Sequence, residues 1–248
     1  MDTLKPIDLN EVRNWVEEHI VDFHESRLKS LEGVKLLDLL RRKNPYLFRA
    51  KGIVKAQDLV ESLLNAKLSS SEETIMGNFL EELALFVVER TVGGHKSATA
   101  GIDFEYTLKE TRYLFSMKSG LSWGNAGQWK DLAKSFSTAM KVMRQSSQVK
   151  NIECYLGVSY GKAKRTTKKD FIIQVSGQEF WHMISGRTEF YTEIVEPIGH
   201  KAKEHNEAFE KEKGNLINQM TKNLLNDYSD SDGNLKWKEI VEFNSKNL

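Results

Sequence analysis

The hydrophobic pattern changes period along this chain. From about Leu9 to Lys43 apolar residues recur at helical spacing: Val12, Trp15, Val16, Ile20 and Phe23, then Leu36, Leu37, Leu39 and Leu40. Asn44-Pro45 breaks that run, and a third helix is predicted from Val54 to Ala66. Ser70 and Glu73 have capping-box spacing. The pattern therefore predicts a new helix starting at Ser69–Ser71, reaching about Arg90 and stopping at Gly93-Gly94. Its apolar stripe is Met76, Phe79, Leu80, Leu83 and Val87. Glu82 borders the stripe, and Glu81 lies farther round.

The period then shortens to two. Gly101–Tyr106 and Tyr113–Gly120 each alternate apolar and polar residues, as half-buried strands do. Ile102, Phe104 and Tyr106 share one face of the first, Asp103 and Glu105 the other. Tyr113, Phe115 and Met117 share one face of the second, Ser116 and Lys118 the opposite one. The polar link Lys109–Arg112 suits a hairpin turn. Paired so, Asp103 and Lys118 meet at one edge of a small sheet. A carboxylate and an ammonium held together can bind a divalent metal and activate a water, which suggests phosphodiester cleavage. A solvated surface pair would show the same residues. Gly101 and Gly120 flank the pair and permit close approach, and Glu81 and Glu82 stand on the helix just before it.

Beyond the hairpin, Leu121–Gly127 reads as a loop and Gln128–Gln145 as a helix carrying Leu132, Phe136, Met140 and Met143. Strands are predicted at Ile152–Val158 and Phe171–Val175, with the basic loop Gly161–Lys169 between them. A helix follows from Phe180, then a short strand at Thr192–Glu196 and a polar helix from about His200 to Asn226. Helices, then a hairpin, then alternating strands and helices predict an α/β (α+β) fold, a mixed sheet covered by helices. Residues 1–68 form an α-helical N-terminal region, accessory or dimer-forming, and residues 69–248 the core with C-terminal helices. Tyr228–Glu239 has the outline of an EF-hand loop. Its first ligand position is Tyr228, however, where calcium needs an oxygen ligand, and a capped turn between helices is the simpler reading.

Composition narrows the class. Hydrophobic residues make up 40% and charged residues 29% of 248, which indicates a globular protein. The net charge of +1 gives no bulk attraction to nucleic acid, so any basic surface is local. The single cysteine, Cys154, excludes an internal disulfide and fits a reducing cytoplasm. Neither an apolar leader nor a membrane-length apolar stretch is present, so a soluble intracellular protein without membrane contact is expected.

At the Asp103 and Lys118 segments the chain resembles the PD-(D/E)xK nuclease superfamily, more narrowly type II restriction endonucleases of the PmeII kind. Lys43–Lys51, Gly77–Leu83, Gly94–Ser97, Gly177–Trp181 and Glu196–Gly199 extend the likeness. The resemblance implies a restriction-endonuclease-like mixed central sheet and a bacterial, cytoplasmic homodimer that cuts double-stranded DNA with Mg²⁺, or Mn²⁺ as substitute. It implies Asp103 as first metal-binding aspartate and Lys118 as the lysine positioning or activating the water. Glu81, four residues after Gly77, matches the helix glutamate, with Glu82 its rival, and the Met117 carbonyl completes the metal ligands. Ser116 stands where the pattern has Glu or Asp, so Glu81, Glu82 or Glu105 is needed as replacement. His95 and Lys96 would face the scissile phosphate. Asn125 and Gln128 would read adenine, while Lys162, Lys164, Arg165, Lys168 and Lys169 would meet phosphate or guanine. Two alternatives stay open: a repair or resolving nuclease that reads DNA structure, and a DNA-binding module whose active site has decayed.

Overall fold

The computed structural model describes residues 4–146 and 151–247. Met1–Thr3, the start of the segment read for a leader, lie outside the described residues. The helices in chain order are α1 (Leu9–Lys29), α2 (Leu36–Arg42), α3 (Pro45–Ala50), α4 (Ala56–Val92), α5 (Ala126–Ser146), α6 (Gln178–Ser185), α7 (Phe190–Glu193), α8 (Val195–Ile198), α9 (Ala202–Tyr228) and α10 (Trp237–Ser245). The strands are β1 (His95–Lys96), β2 (Phe104–Leu108), β3 (Thr111–Lys118), β4 (Asn151–Val158), β5 (Thr166–Lys168) and β6 (Ile172–Ser176). They form one mixed sheet in the order β1-β2-β3-β4-β6-β5.

The chain divides into two compact units, residues 1–20 with 76–200, and residues 21–75 with 201–248. This division does not follow the 68/69 boundary read from the sequence. At that boundary the predicted helix start is absent, because α4 runs unbroken through Ser69–Ser71. Hydroxyls in this stretch bond back along the same helix. Ser71 Oγ donates to Lys67 O at 3.3 Å and Thr74 Oγ1 to Ser70 O at 3.0 Å, an alternative that keeps Ser and Thr inside helices.

The sheet belongs to the first unit. β2 and β3 form the expected hairpin, with Phe104 opposite Phe115 and Tyr106 opposite Tyr113. These rings stack across the strands and continue onto Tyr155 of β4, a cross-strand ladder that fixes register. Lys109 takes the left-handed turn conformation at φ 55°. On the other face Leu114, Cys154, Leu156 and Ile172 pack against Leu132, Phe136 and Ala139 of α5. Ile102 joins this second cluster rather than sharing the Phe104 face, because it precedes the strand in a turn set by Gly101 at φ +83°. Burial pushes the Cys154 thiol up to about 12, so it stays protonated.

Three further readings are corrected. Thr192–Glu196 is helical, because Phe190 and Ile194, four residues apart, are both buried and Arg187 clasps Glu193 at 2.7 and 2.8 Å. The stretch after the helix stop at Gly93-Gly94 contains β1, and the basic loop contains β5. Both are too short for an alternation to be read from sequence.

The second unit is helical. Leu36, Leu39, Leu40, Phe48, Leu59, Leu63, Leu224 and Ile240 fill its core. The Asn244 amide donates to the carbonyls of Leu40, Arg41 and Lys43, satisfying the end of α2. His24 stacks on His205 with ring centroids 4.5 Å apart, both of its ring nitrogens buried without a hydrogen-bond partner among the described residues. In the EF-hand-like segment the Asp230 carboxylate accepts from Asp232 N and from Asn234 N and Nδ2. Those bonds hold its pKa below the usual carboxylate value, and the segment is a self-capped turn.

Candidate active site

β3, β4 and β6 run parallel and end together, with Lys118 beside Val158 and Val158 beside Ser176. The carboxyl ends of parallel strands are where open α/β sheets place ligands, and Lys118 sits at that end. α4 approaches the same end at Gly77, where an added Cβ would lie 2.6 Å from Ser119 Oγ. The missing side chain lets the helix close on the strand. One turn later the helix presents Glu81 toward Asp103.

Asp103 lies immediately before β2. Its Oδ2 accepts from the Met117 N–H and from Ser116 Oγ, the latter at 3.3 Å. Ser116 is only 2% exposed, so the residue in the place of the missing acid acts as a hydrogen-bond donor to the remaining one. Lys118 Nζ donates to Met117 O at 2.6 Å and lies 5.5 Å from the Trp123 ring. Asn78, Glu81, Glu82, Leu85, Lys96, Asp103 and Phe104 line a pocket of about 240 Å³. Burial, then the negative charge of Asp103, raises the Glu81 pKa above its ordinary value, while Lys118 and Lys96 pull the other way. Glu81 therefore feels the Asp103 carboxylate and the ammonium groups of Lys118 and Lys96.

Asp103, Lys118, Glu81 and Lys96 are thus brought together. Glu82 lines the pocket too but is exposed, whereas Glu81 is half-buried, the reverse of their order around the predicted stripe. The α4 contact with the strand end decides this, and the helical repeat alone does not show it. Glu105 is drawn elsewhere. It is buried, and its carboxylate takes Arg112 at 2.7 Å, His95 Nε2 at 3.2 Å and Ser97 Oγ at 3.3 Å. His95 goes with it, because neighbouring residues on a strand face opposite ways. Asn125 and Gln128 cap α5 reciprocally, Gln128 N to Asn125 Oδ1 at 3.0 Å and Asn125 N to Gln128 Oε1 at 2.9 Å. Arg165 is paired with Glu179 at 2.8 Å, and Lys162 and Lys164 are exposed. The approach of the Trp123 ring to Lys118 and the bond from the Ser116 hydroxyl to Asp103 were not read from the sequence. The opposition of Phe104 and Phe115 would have placed Ser116 next to Asp103.

A family model, type II restriction endonuclease EcoO109I, matches residues 10–206. The chain belongs to this type II restriction endonuclease family. Every residue of the pocket falls inside the match, and the mixed sheet flanked by helices is its restriction-endonuclease-like α/β fold. The narrower likeness to the PmeII kind draws no support from this match. A comparison with curated proteins finds no match. The family consists of DNA-binding deoxyribonucleases that generally use a divalent metal. Asp103, Glu81 and the Met117 carbonyl form an all-oxygen set, which suits a hard cation that keeps several waters. Among the described residues no group of three or more His, Cys, Asp and Glu side chains gathers to hold a metal. Among them, too, no helix is long and apolar enough to cross a membrane.

Proposed function

We propose that this chain is a Mg²⁺-dependent, sequence-specific endonuclease of double-stranded DNA, with Mn²⁺ as a working substitute. The observation that carries the reading is the convergence of Asp103, Glu81, Lys118 and Lys96 at the end of β3, within a restriction endonuclease family. Asp103 and Glu81 are the acidic ligands, Glu82 an outer one, and Met117 contributes its carbonyl. A divalent cation held by these oxygens would supply Lewis-acid polarisation of the scissile phosphate and a more acidic bound water. The Asp103 carboxylate is held in place by Ser116 and the Met117 N–H. Lys118, tethered to the Met117 carbonyl, orients the attacking water and offsets the charge that builds on the phosphate. Lys118, held at 2.6 Å on the Met117 carbonyl, serves as a positioned cation rather than a base. Lys96 faces the same volume and can hold a non-bridging phosphate oxygen.

The protein works as a bacterial cytoplasmic homodimer on this reading, with the N-terminal helical region, residues 1–68, as its dimer-forming part. Digestion of a sequenced plasmid with Mg²⁺, followed by sequencing of the ends, tests it. Discrete bands with one shared end sequence are expected, and Lys118→Ala must leave the plasmid intact while still binding it. Scattered cuts at junctions or lesions would favour a structure-reading nuclease. Ser116 in an acid position favours a second reading, a DNA-binding module without catalysis, and intact plasmid bound by the wild type at every Mg²⁺ or Mn²⁺ concentration would establish that one.

A further inference from the structure

A groove of about 570 Å³ opens beside the catalytic strand, lined by Leu121, Trp123, Trp129, Lys168, Lys169 and Gln174. The loop after β3, the first turn of α5 and the β5–β6 hairpin meet there. Trp123 and Trp129 pack edge to face, with ring centroids 5.2 Å apart at 64°. The Trp123 ring also lies 5.5 Å from Lys118 Nζ, so the groove begins where the catalytic lysine ends. Both Lys168 and Lys169 are exposed, and neither is held in an ion pair among the described residues, unlike Arg165 with Glu179.

The hairpin tip carries a second observation. Lys169 and Asp170 both have positive φ, 48° and 67°. Turns of this kind favour Asn-Gly, because side chains crowd the left-handed region. A lysine here gives up local stability and gains a cation at the groove wall.

We propose that this groove seats the sugar–phosphate backbone of the DNA strand next to the cleaved phosphate. Lys168 and Lys169 face phosphates, and the two indoles pack against deoxyribose. The assignment rests on the nuclease reading above and names the residues that hold its substrate. Charge complementarity selects a polyanion, and the apolar floor suits the sugar between phosphates. The indoles are closed on each other edge to face, which leaves no parallel slot for a base to enter between them. Asn125, Gln128 and Arg165 are already committed to local bonds, so these lysines supply the backbone contacts.

The test is equilibrium binding of a labelled mixed-sequence duplex, without divalent cation so that nothing is cut, across a KCl series. Each neutralised phosphate contributes about 0.9 to the slope of log K against log salt. Lys168→Ala/Lys169→Ala should flatten that slope by about 2 and weaken low-salt binding at least roughly tenfold. Lys169→Gly should flatten it by about 1 while Tm stays equal to or above the wild type, because glycine suits the left-handed turn. Lys238→Ala, at a residue whose side chain is 89% exposed in the other unit, should leave the slope unchanged. Wild-type slope and affinity in both groove variants would overturn the proposal while leaving the nuclease reading intact. A wild type that neither binds duplex nor cuts plasmid would overturn the nuclease reading itself. Single-stranded DNA bound more tightly than duplex would overturn the backbone assignment in favour of base stacking.

Discussion

Glu81 and Glu82 are adjacent in sequence, yet only one is half-buried against Asp103. Burial and Asp103 raise the Glu81 pKa, so its negative charge is uncomfortable until a cation arrives. Glu81→Gln should therefore raise the Mg²⁺ concentration needed for half-maximal cutting at least roughly tenfold, and Glu82→Gln should change it little. Melting in metal-free buffer gives a second readout. A raised carboxylate pKa means stability is lost as pH climbs from the ordinary carboxyl value through the folded-state value. Glu81→Gln should melt above the wild type at neutral pH and level with it in acid. Identical Mg²⁺ profiles for the two variants would remove Glu81 from the ligand set. His24 has the opposite sign. Burial, His205 and Arg27 lower its pKa to about 4, so the unfolded chain takes the proton first. Stability should fall as pH drops from about 6.5 toward 4. His24→Phe keeps a ring on His205 and should flatten the Tm–pH curve in that window. A curve parallel to the wild type would show that other groups set the acid limit.

α4, β2 and β3 form the element-scale machine, and Gly77 is its closest joint. Gly77→Ala places a methyl against Ser119 Oγ and should lower cleavage by lifting Glu81 away from Asp103. Gly77→Ala/Ser119→Ala removes the obstruction. Since alanine exceeds glycine in a helix interior by about 1 kcal/mol, the double variant should recover activity and gain up to about 1 kcal/mol in urea denaturation. A double variant as impaired as the single one would mean that Gly77 matters for another reason. Much of this machine was legible in the sequence. Alternation in Phe104–Tyr106 and Tyr113–Lys118 gave the hairpin, but its register sets Asp103 opposite Ser116, with Lys118 two residues farther along β3. What stayed hidden depended on contacts between elements. Ser69–Ser71 carried a cap signal that a longer helix overrode, and Thr192–Glu196, read as a short strand, spans too few residues to outweigh the burial of Phe190 and Ile194. The division between His95 and Lys96 needed the partner strand, since a two-residue strand has no pattern of its own.

At the scale of the whole molecule, a duplex has two strands of opposite polarity, and the homodimer proposed above would bring one Asp103–Glu81–Lys118 set to each. Dilution should therefore slow the linear product more than the nicked circle, read from plasmid topology on a gel. Linear product that forms at the same rate at every protein concentration would argue for a monomer turning over twice. The ends of the sheet carry a different consequence. β1 and β5 are its two open edges, only two and three residues long, and each carries an exposed lysine, Lys96 or Lys168. Open edges invite pairing with another sheet, and short, lysine-bearing strands discourage it. The cations proposed to face DNA would thus also discourage one molecule's sheet from extending into the next. Neutralising both edges in Lys96→Ala/Lys168→Ala should raise light scattering as the protein is concentrated, with DNA absent and cleavage not at issue.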